Sequence, residues 1–96
     1  MAQVAVQSPQ QRTNAQLDSL IEAWRALPEA ERSIDRWDLM EQLDYIEEWG
    51  AKESLADVLR QKIASPNATD EQRRRYAELT RLMATNRPIL DRLRAS

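Results

Sequence analysis

The sequence predicts an all-α fold, a small bundle of four to five helices, and three observations carry that reading. Apolar residues recur at spacings of three and four, the period of one helix face. One glycine and four prolines in 96 residues leave too little turn chemistry for a sandwich or barrel of many short strands. Charged residues, 31% of the chain, fall between the apolar stripes as on solvated helix faces. A chain of this length forms one domain, expected over residues 14–96 behind a tail of residues 1–13.

The tail, Met1 to Thr13, holds a few small apolar residues and four glutamines, too little apolar surface to offset ordering entropy, so it is expected to be flexible. Val4 and Val6 alternate with polar residues, the minimum signature of a short strand that pairs with a partner or a second copy. Asn14 then stands as an N-cap before a stripe of Leu17, Leu20, Ile21, Trp24 and Leu27, and Pro28 is expected to end that helix. Pro28–Glu31 reads as an exposed acidic turn.

Ser33 is the next N-cap candidate, opening a helix to Trp49 with Gly50 as its stop. Leu39, Leu43, Ile46 and Trp49 form its expected inward face, flanked by Met40, and Ile34, Trp37 and Tyr45 lie opposite among carboxylates. A helix apolar on both sides is either central in its bundle or offers its second face to a partner. A third helix, about 52–64, carries Leu55, Val58, Leu59 and Ile63, and Ser65-Pro66-Asn67 breaks it. Thr69 and Gln72 form a capping box for a fourth helix with Tyr76, Leu79, Leu82 and Met83 inward. Asn86-Arg87-Pro88 is expected to interrupt it before a short last helix bearing Ile89, Leu90 and Leu93.

Composition narrows function. With neither Cys nor His there is no disulfide, no thiol nucleophile, no imidazole acid–base catalysis and no His- or Cys-built metal site. One glycine rules against phosphate-cradling loops, and no nucleophile has a base beside it, so no enzyme and no cofactor are expected. No apolar run approaches a membrane span and the N-terminus lacks a signal-peptide core, from which a cytoplasmic chain without membrane contact is expected. Charge is uneven: residues 1–50 carry ten acids and four bases, residues 51–96 ten bases and six acids. The two halves are expected to fold against each other and largely cancel.

The expected function is a non-enzymatic interaction module, an adaptor, regulatory subunit or protein inhibitor. Ile34, Trp37 and Tyr45, rimmed by Asp38, Glu41, Asp44 and Glu48, combine apolar anchors with an anionic border suited to a basic protein partner. A homo-oligomer is the other association considered, since small domains gain from subunit contact. The alternative is a nucleic-acid-binding regulator, dimeric in form, using Arg73, Arg74, Arg81 and Arg87. Ile46 to Leu59 resembles a helix-turn-helix in its Gly50 turn, but the second helix would lead with Glu53 and Asp57, where base reading needs donors.

Overall fold

The computed structural model describes residues 8–95, which form three long helices: α1 (Pro9–Ser33), α2 (Leu39–Ala64) and α3 (Asp70–Ala95). A 3₁₀ turn, Ile34–Arg36, joins α1 to α2. The all-α class stands, with no strand among the described residues. The count of four to five helices is corrected to three, because Pro28, Gly50 and Pro88, each read as a break, all lie inside helices. Val4 and Val6 lie outside the described residues.

α1 starts five residues earlier than expected, so residues 9–13 belong to the domain. Ser8 and Gln11 form a reciprocal capping box, the Gln11 N–H donating to Ser8 Oγ (3.1 Å) and the Ser8 N–H to Gln11 Oε1 (3.0 Å), with Pro9 at a tolerated first-turn position. Asn14 is therefore no cap; its side-chain oxygen accepts from Gln72 of α3.

Pro28 fails to end α1 for a local reason. Proline has no N–H for the carbonyl four residues back, that of Trp24. Asn86 of α3 supplies the missing donor, its Nδ2 lying 2.8 Å from the Trp24 carbonyl in a buried hydrogen bond. Downstream, Trp37 is extended and Asp38, not Ser33, caps α2, its Oδ1 accepting from the Glu41 N–H at 2.9 Å. Gly50 sits inside α2 in ordinary helical geometry, so the helix-turn-helix is not formed. An interior glycine costs about 0.5–1 kcal/mol against Ala, less than the burial of Trp49, Ala56 and Leu59 on the same helix contributes. The capping box before α3 is as expected: Gln72 N–H donates to Thr69 Oγ1, and Thr69 N–H to Gln72 Oε1, both at 3.0 Å.

Cross-helix contacts give the topology. Gln10 meets Gln72, Asp18 meets Arg75, Trp24 meets Asn86 and Glu31 meets Arg92, so α1 and α3 run parallel. α2 runs antiparallel to both, with Lys62 on Gln16 at one end and Trp49 on Trp24 further along. α1 and α3 form the close pair, and α2 packs less extensively on each. The result is a slab of 43 × 38 × 18 Å with a radius of gyration of 15.6 Å, against about 12 Å for a compact domain of this length.

The core holds Leu17, Leu20, Ile21, Trp24 and Leu27 of α1, Ile34, Trp49, Ala56 and Leu59, and Leu79, Leu90 and Leu93 of α3. Ile46, Leu55, Ile63, Tyr76, Leu82, Met83 and Ile89 are half-buried against it. The expected inward face of α2 is corrected. Leu39, Leu43 and Val58 are 68%, 51% and 45% exposed, and Met40 65%. Ile34, expected to face a partner, is 7% exposed and in the core. The expected inward face is thus split: Ile46 and Trp49 turn to the core as read, Leu39 and Leu43 face outward, and of the side read as opposite Ile34 is core while Trp37 and Tyr45 are half-buried.

Candidate functional site

The segment that reverses the chain also builds the site. The 3₁₀ turn closes with the Trp37 N–H on the Ile34 carbonyl (3.0 Å), and the Gln42 side-chain amide donates to the Trp37 carbonyl (2.9 Å). These bonds fix Trp37 beside the first turns of α2. Glu41, Asp44, Tyr45 and Glu48 follow at helical spacings of three and four, so they share one side of α2. Together with Trp37 they line a shallow concavity of about 270 Å³.

Its floor is aromatic. Trp37 and Tyr45 meet edge-on with centroids 5.3 Å apart, Tyr45 meets Trp49 at 6.3 Å, and Trp49 meets Trp24 at 4.9 Å. The chain of rings runs from the surface into the core, and its T-shaped geometry is the one that aromatic quadrupoles favour. Lys52 lies over Trp49, 5.5 Å from the ring centroid, and reaches Glu48 at 3.7 Å. Glu41 and Asp44 have no cation within salt-bridge distance among the described residues. Burial pushes the Tyr45 phenol above its usual value, and the nearby Glu48 charge adds to that, so it is neutral at pH 7.

Of the seven residues expected to face a partner, five converge here: Trp37, Glu41, Asp44, Tyr45 and Glu48. Ile34 does not, being core, and Asp38 serves as the α2 cap. The Glu41 N–H bonded to it holds the Asp38 carboxyl below its usual range. Aromatic rings beside two unpaired carboxylates suit an alkyl chain ending in a cation, which takes Coulomb attraction from the acids and cation–π attraction from the rings. Among the described residues no group of three or more acidic side chains is placed to hold a metal ion.

Of the four arginines of the alternative only Arg74 and Arg81 come together. Arg73 pairs with Asp70 and also donates to the Ser65 carbonyl, and Arg74 pairs with Glu71. Arg87 turns toward α2, near Glu53 and over the Trp24 ring at 5.3 Å. Arg81 lies with Arg25, Arg74 and Arg75 along a groove between α1 and α3 of about 720 Å³, but Asp18, Glu22, Glu71 and Glu78 line the same groove. Arg25–Glu78, Arg75–Asp18 and Arg92–Glu31 bridge α1 to α3. The basic and acidic halves therefore meet in ion pairs, as their compositions suggest.

Two features are not singled out in the sequence reading. The α1–α3 groove depends on the parallel packing of two distant segments, which no local pattern reveals. The outward stripe joins Leu39, Met40 and Leu43 to Val58, which the expected break at Gly50 assigns to a separate helix, and Leu39, Leu43 and Val58 are expected inward. No helix among the described residues is long and apolar enough to cross a membrane. No protein-family model, curated protein or solved structure matches the chain.

Proposed function

We propose that the chain is a non-enzymatic, cytoplasmic protein–protein interaction module that receives a basic segment of its partner in the Trp37–Tyr45 concavity. The observation that carries this reading is the pairing of a half-buried aromatic floor with Glu41 and Asp44, carboxylates that no cation of the described chain neutralises. Gln42 holds the Trp37 backbone and the core backs both rings, so little side-chain entropy is lost when a ligand seats on them. The carboxylates steer a basic partner and repel an acidic one. A nucleic-acid partner has less support, because Arg73, Arg74 and Arg87 each have a carboxylate neighbour of their own.

The test is titration of the full chain with two peptides of equal length, one alternating Lys or Arg with apolar residues and one with Glu in place of the bases. Binding is followed by isothermal calorimetry at two salt concentrations. The basic peptide is expected to bind, more weakly at high salt, and the Asp44→Lys chain to lose that binding without loss of fold. Equal binding of both peptides, or undiminished binding by Asp44→Lys, refutes the assignment.

A further inference from the structure

The outer side of α2 has no use in that reading, and it is the most apolar surface of the described chain. All four exposed large hydrophobic residues, Leu39, Met40, Leu43 and Val58, lie on this one helix. Between them, on the same side, falls the only glycine in the sequence. Gly50 needs no special backbone angle, and a Cβ built on it would meet no atom within 4 Å. Within a single chain this glycine therefore weakens α2 with no steric return. A glycine at such a place lets another backbone come close.

We propose that this face is covered by a second copy of the chain, with the two α2 helices packed antiparallel about a two-fold axis near Gly50 and Ala51. Charge selects the direction. On the outer side itself the charged residues are Glu47 and Asp57; Lys52 turns to Glu48 and the Trp49 ring, and Lys62 to Gln16 of its own chain. Parallel pairing stacks the two Glu47 carboxylates on each other, whereas antiparallel pairing about Gly50 and Ala51 sets each opposite Ser54 of the other copy and opposes the two helix dipoles. Shape agrees with charge. The bulky end of the stripe, Leu39 to Leu43, comes opposite the slimmer end at Val58, and the small residues Gly50, Ala51 and Ser54 occupy the middle beside the exposed Glu47, where the helices are closest. Leu43 of one copy then packs on Val58 of the other, and Met40 on the stem of Gln61.

The area is sufficient. A helix of 26 residues is about 39 Å long, and half the circumference of a helix about 12 Å across gives a strip of roughly 700 Å². Specific interfaces bury about 800 Å² per partner. The flat shape, 18 Å thick, leaves this strip open along its length. A two-fold contact uses the same patch twice and closes on itself, so it ends at a dimer. The Trp37–Tyr45 concavity lies on an adjoining side of α2 and is not needed for the pairing, so the failure of either assignment leaves the other standing.

Light scattering on the full chain across a range of concentrations tests the pairing. The expected mass at high concentration is twice 11.2 kDa. Leu43→Glu is expected to return the mass to one chain with an unchanged helical CD spectrum, since Leu43 is already exposed. Gly50→Leu is expected to keep or raise the melting temperature of dilute protein while weakening the dimer at least tenfold. Direction is read by cross-linking, which the absence of native cysteine makes clean. Gly50→Cys is expected to form a disulfide dimer on mild oxidation. Leu39→Cys is not, because antiparallel pairing separates the two positions by roughly 35 Å. A wild-type chain that stays monomeric at the highest concentration, or a dimer indifferent to both Leu43→Glu and Gly50→Leu, overturns the proposal. Ready cross-linking through Leu39→Cys overturns the antiparallel arrangement.

Discussion

Asn86→Ala tests why a helix runs through Pro28. Asn86 Nδ2 donates to the Trp24 carbonyl at 2.8 Å, and that carbonyl is the one Pro28 cannot serve. Removing the amide leaves a buried acceptor unsatisfied, a penalty of about 1–3 kcal/mol, and deletes some packing as well. In a domain of this size each kcal/mol shifts the melting temperature by roughly 4–8 °C, so a fall of about 10 °C is expected. The decisive comparison is the same substitution made in Pro28→Ala. There residue 28 regains its N–H, the Trp24 carbonyl accepts the ordinary helical bond, and Asn86→Ala costs only its packing. The two positions should therefore couple by about 1–2 kcal/mol in a double-mutant cycle. Pro28→Ala alone should stabilise, since proline inside a helix is far poorer than alanine. The assay is urea denaturation followed by CD, at one protein concentration for all four chains. Equal costs of Asn86→Ala in the two backgrounds, within about 0.5 kcal/mol, refute the account.

Three further outcomes are expected. Trp37→Ala should cost about 2 kcal/mol in denaturant melts, below the 3–5 kcal/mol of a fully buried Trp, because Trp37 is half-buried against Tyr45; a loss of the full core magnitude would place it wholly inside. Thr69→Ala should cost about 1 kcal/mol by removing one bond of the capping box, read by the same melts, while Ser65→Ala, outside the box, should cost less. Acid should destabilise in a defined window: Arg32 holds Glu29, Arg92 holds Glu31 and Arg74 holds Glu71 below the usual carboxylate range. A carboxyl depressed in the folded state contributes stability that is complete above its unfolded value, about 4.3, and is lost as pH falls through its lower folded value. Melting temperatures should be level between pH 7 and about 5 and fall below about 4, with a smaller fall in Glu31→Gln; these pairs are exposed, so added salt should flatten the profile.

How far the sequence predicts this fold depends on whether the governing interaction is local. The apolar stripe of α1 and the Thr69–Gln72 capping box lie within one or two turns of chain, and both are as read. The breaks at Pro28, Gly50 and Pro88 are not, because a breaker's local cost is weighed against tertiary bonds invisible in the sequence. Pro28 shows this most directly: its donor lies 62 positions away, counted from Trp24 to Asn86. Gln72 carries the same lesson with a twist. It was legible as a capping residue, yet its amide also donates to Gln10 and Asn14, tying α3 to the start of α1. The start of α1 itself was open to local reading, since Ser8-Pro9-Gln10-Gln11 has the spacing of a capping box, but the sparse apolar content around it pointed to a tail.

The inward face of α2, right at Ile46 and Trp49 and wrong at Leu39 and Leu43, shows where pattern alone runs out. Both sides of the helix carry apolar residues at helical spacing, so periodicity fixes the stripes but not which one meets the core. What decides is the fit to α1. Trp24 presents a ring at the centre of the core, and Trp49 with Tyr45 behind it makes the edge-on contacts that rings favour, which Leu39 and Leu43 cannot supply. Ile34 follows because the short 3₁₀ turn ties it to the end of α1, where its side chain joins the core. Once the aromatic side is committed inward, Trp37 is carried to the edge, half inside and half out. It is that intermediate position, between Glu41 and the Tyr45 ring, that gives the concavity both an apolar floor and an open mouth. The same commitment leaves the aliphatic side bare, so the two surfaces proposed for association arise from a single packing choice between two rings.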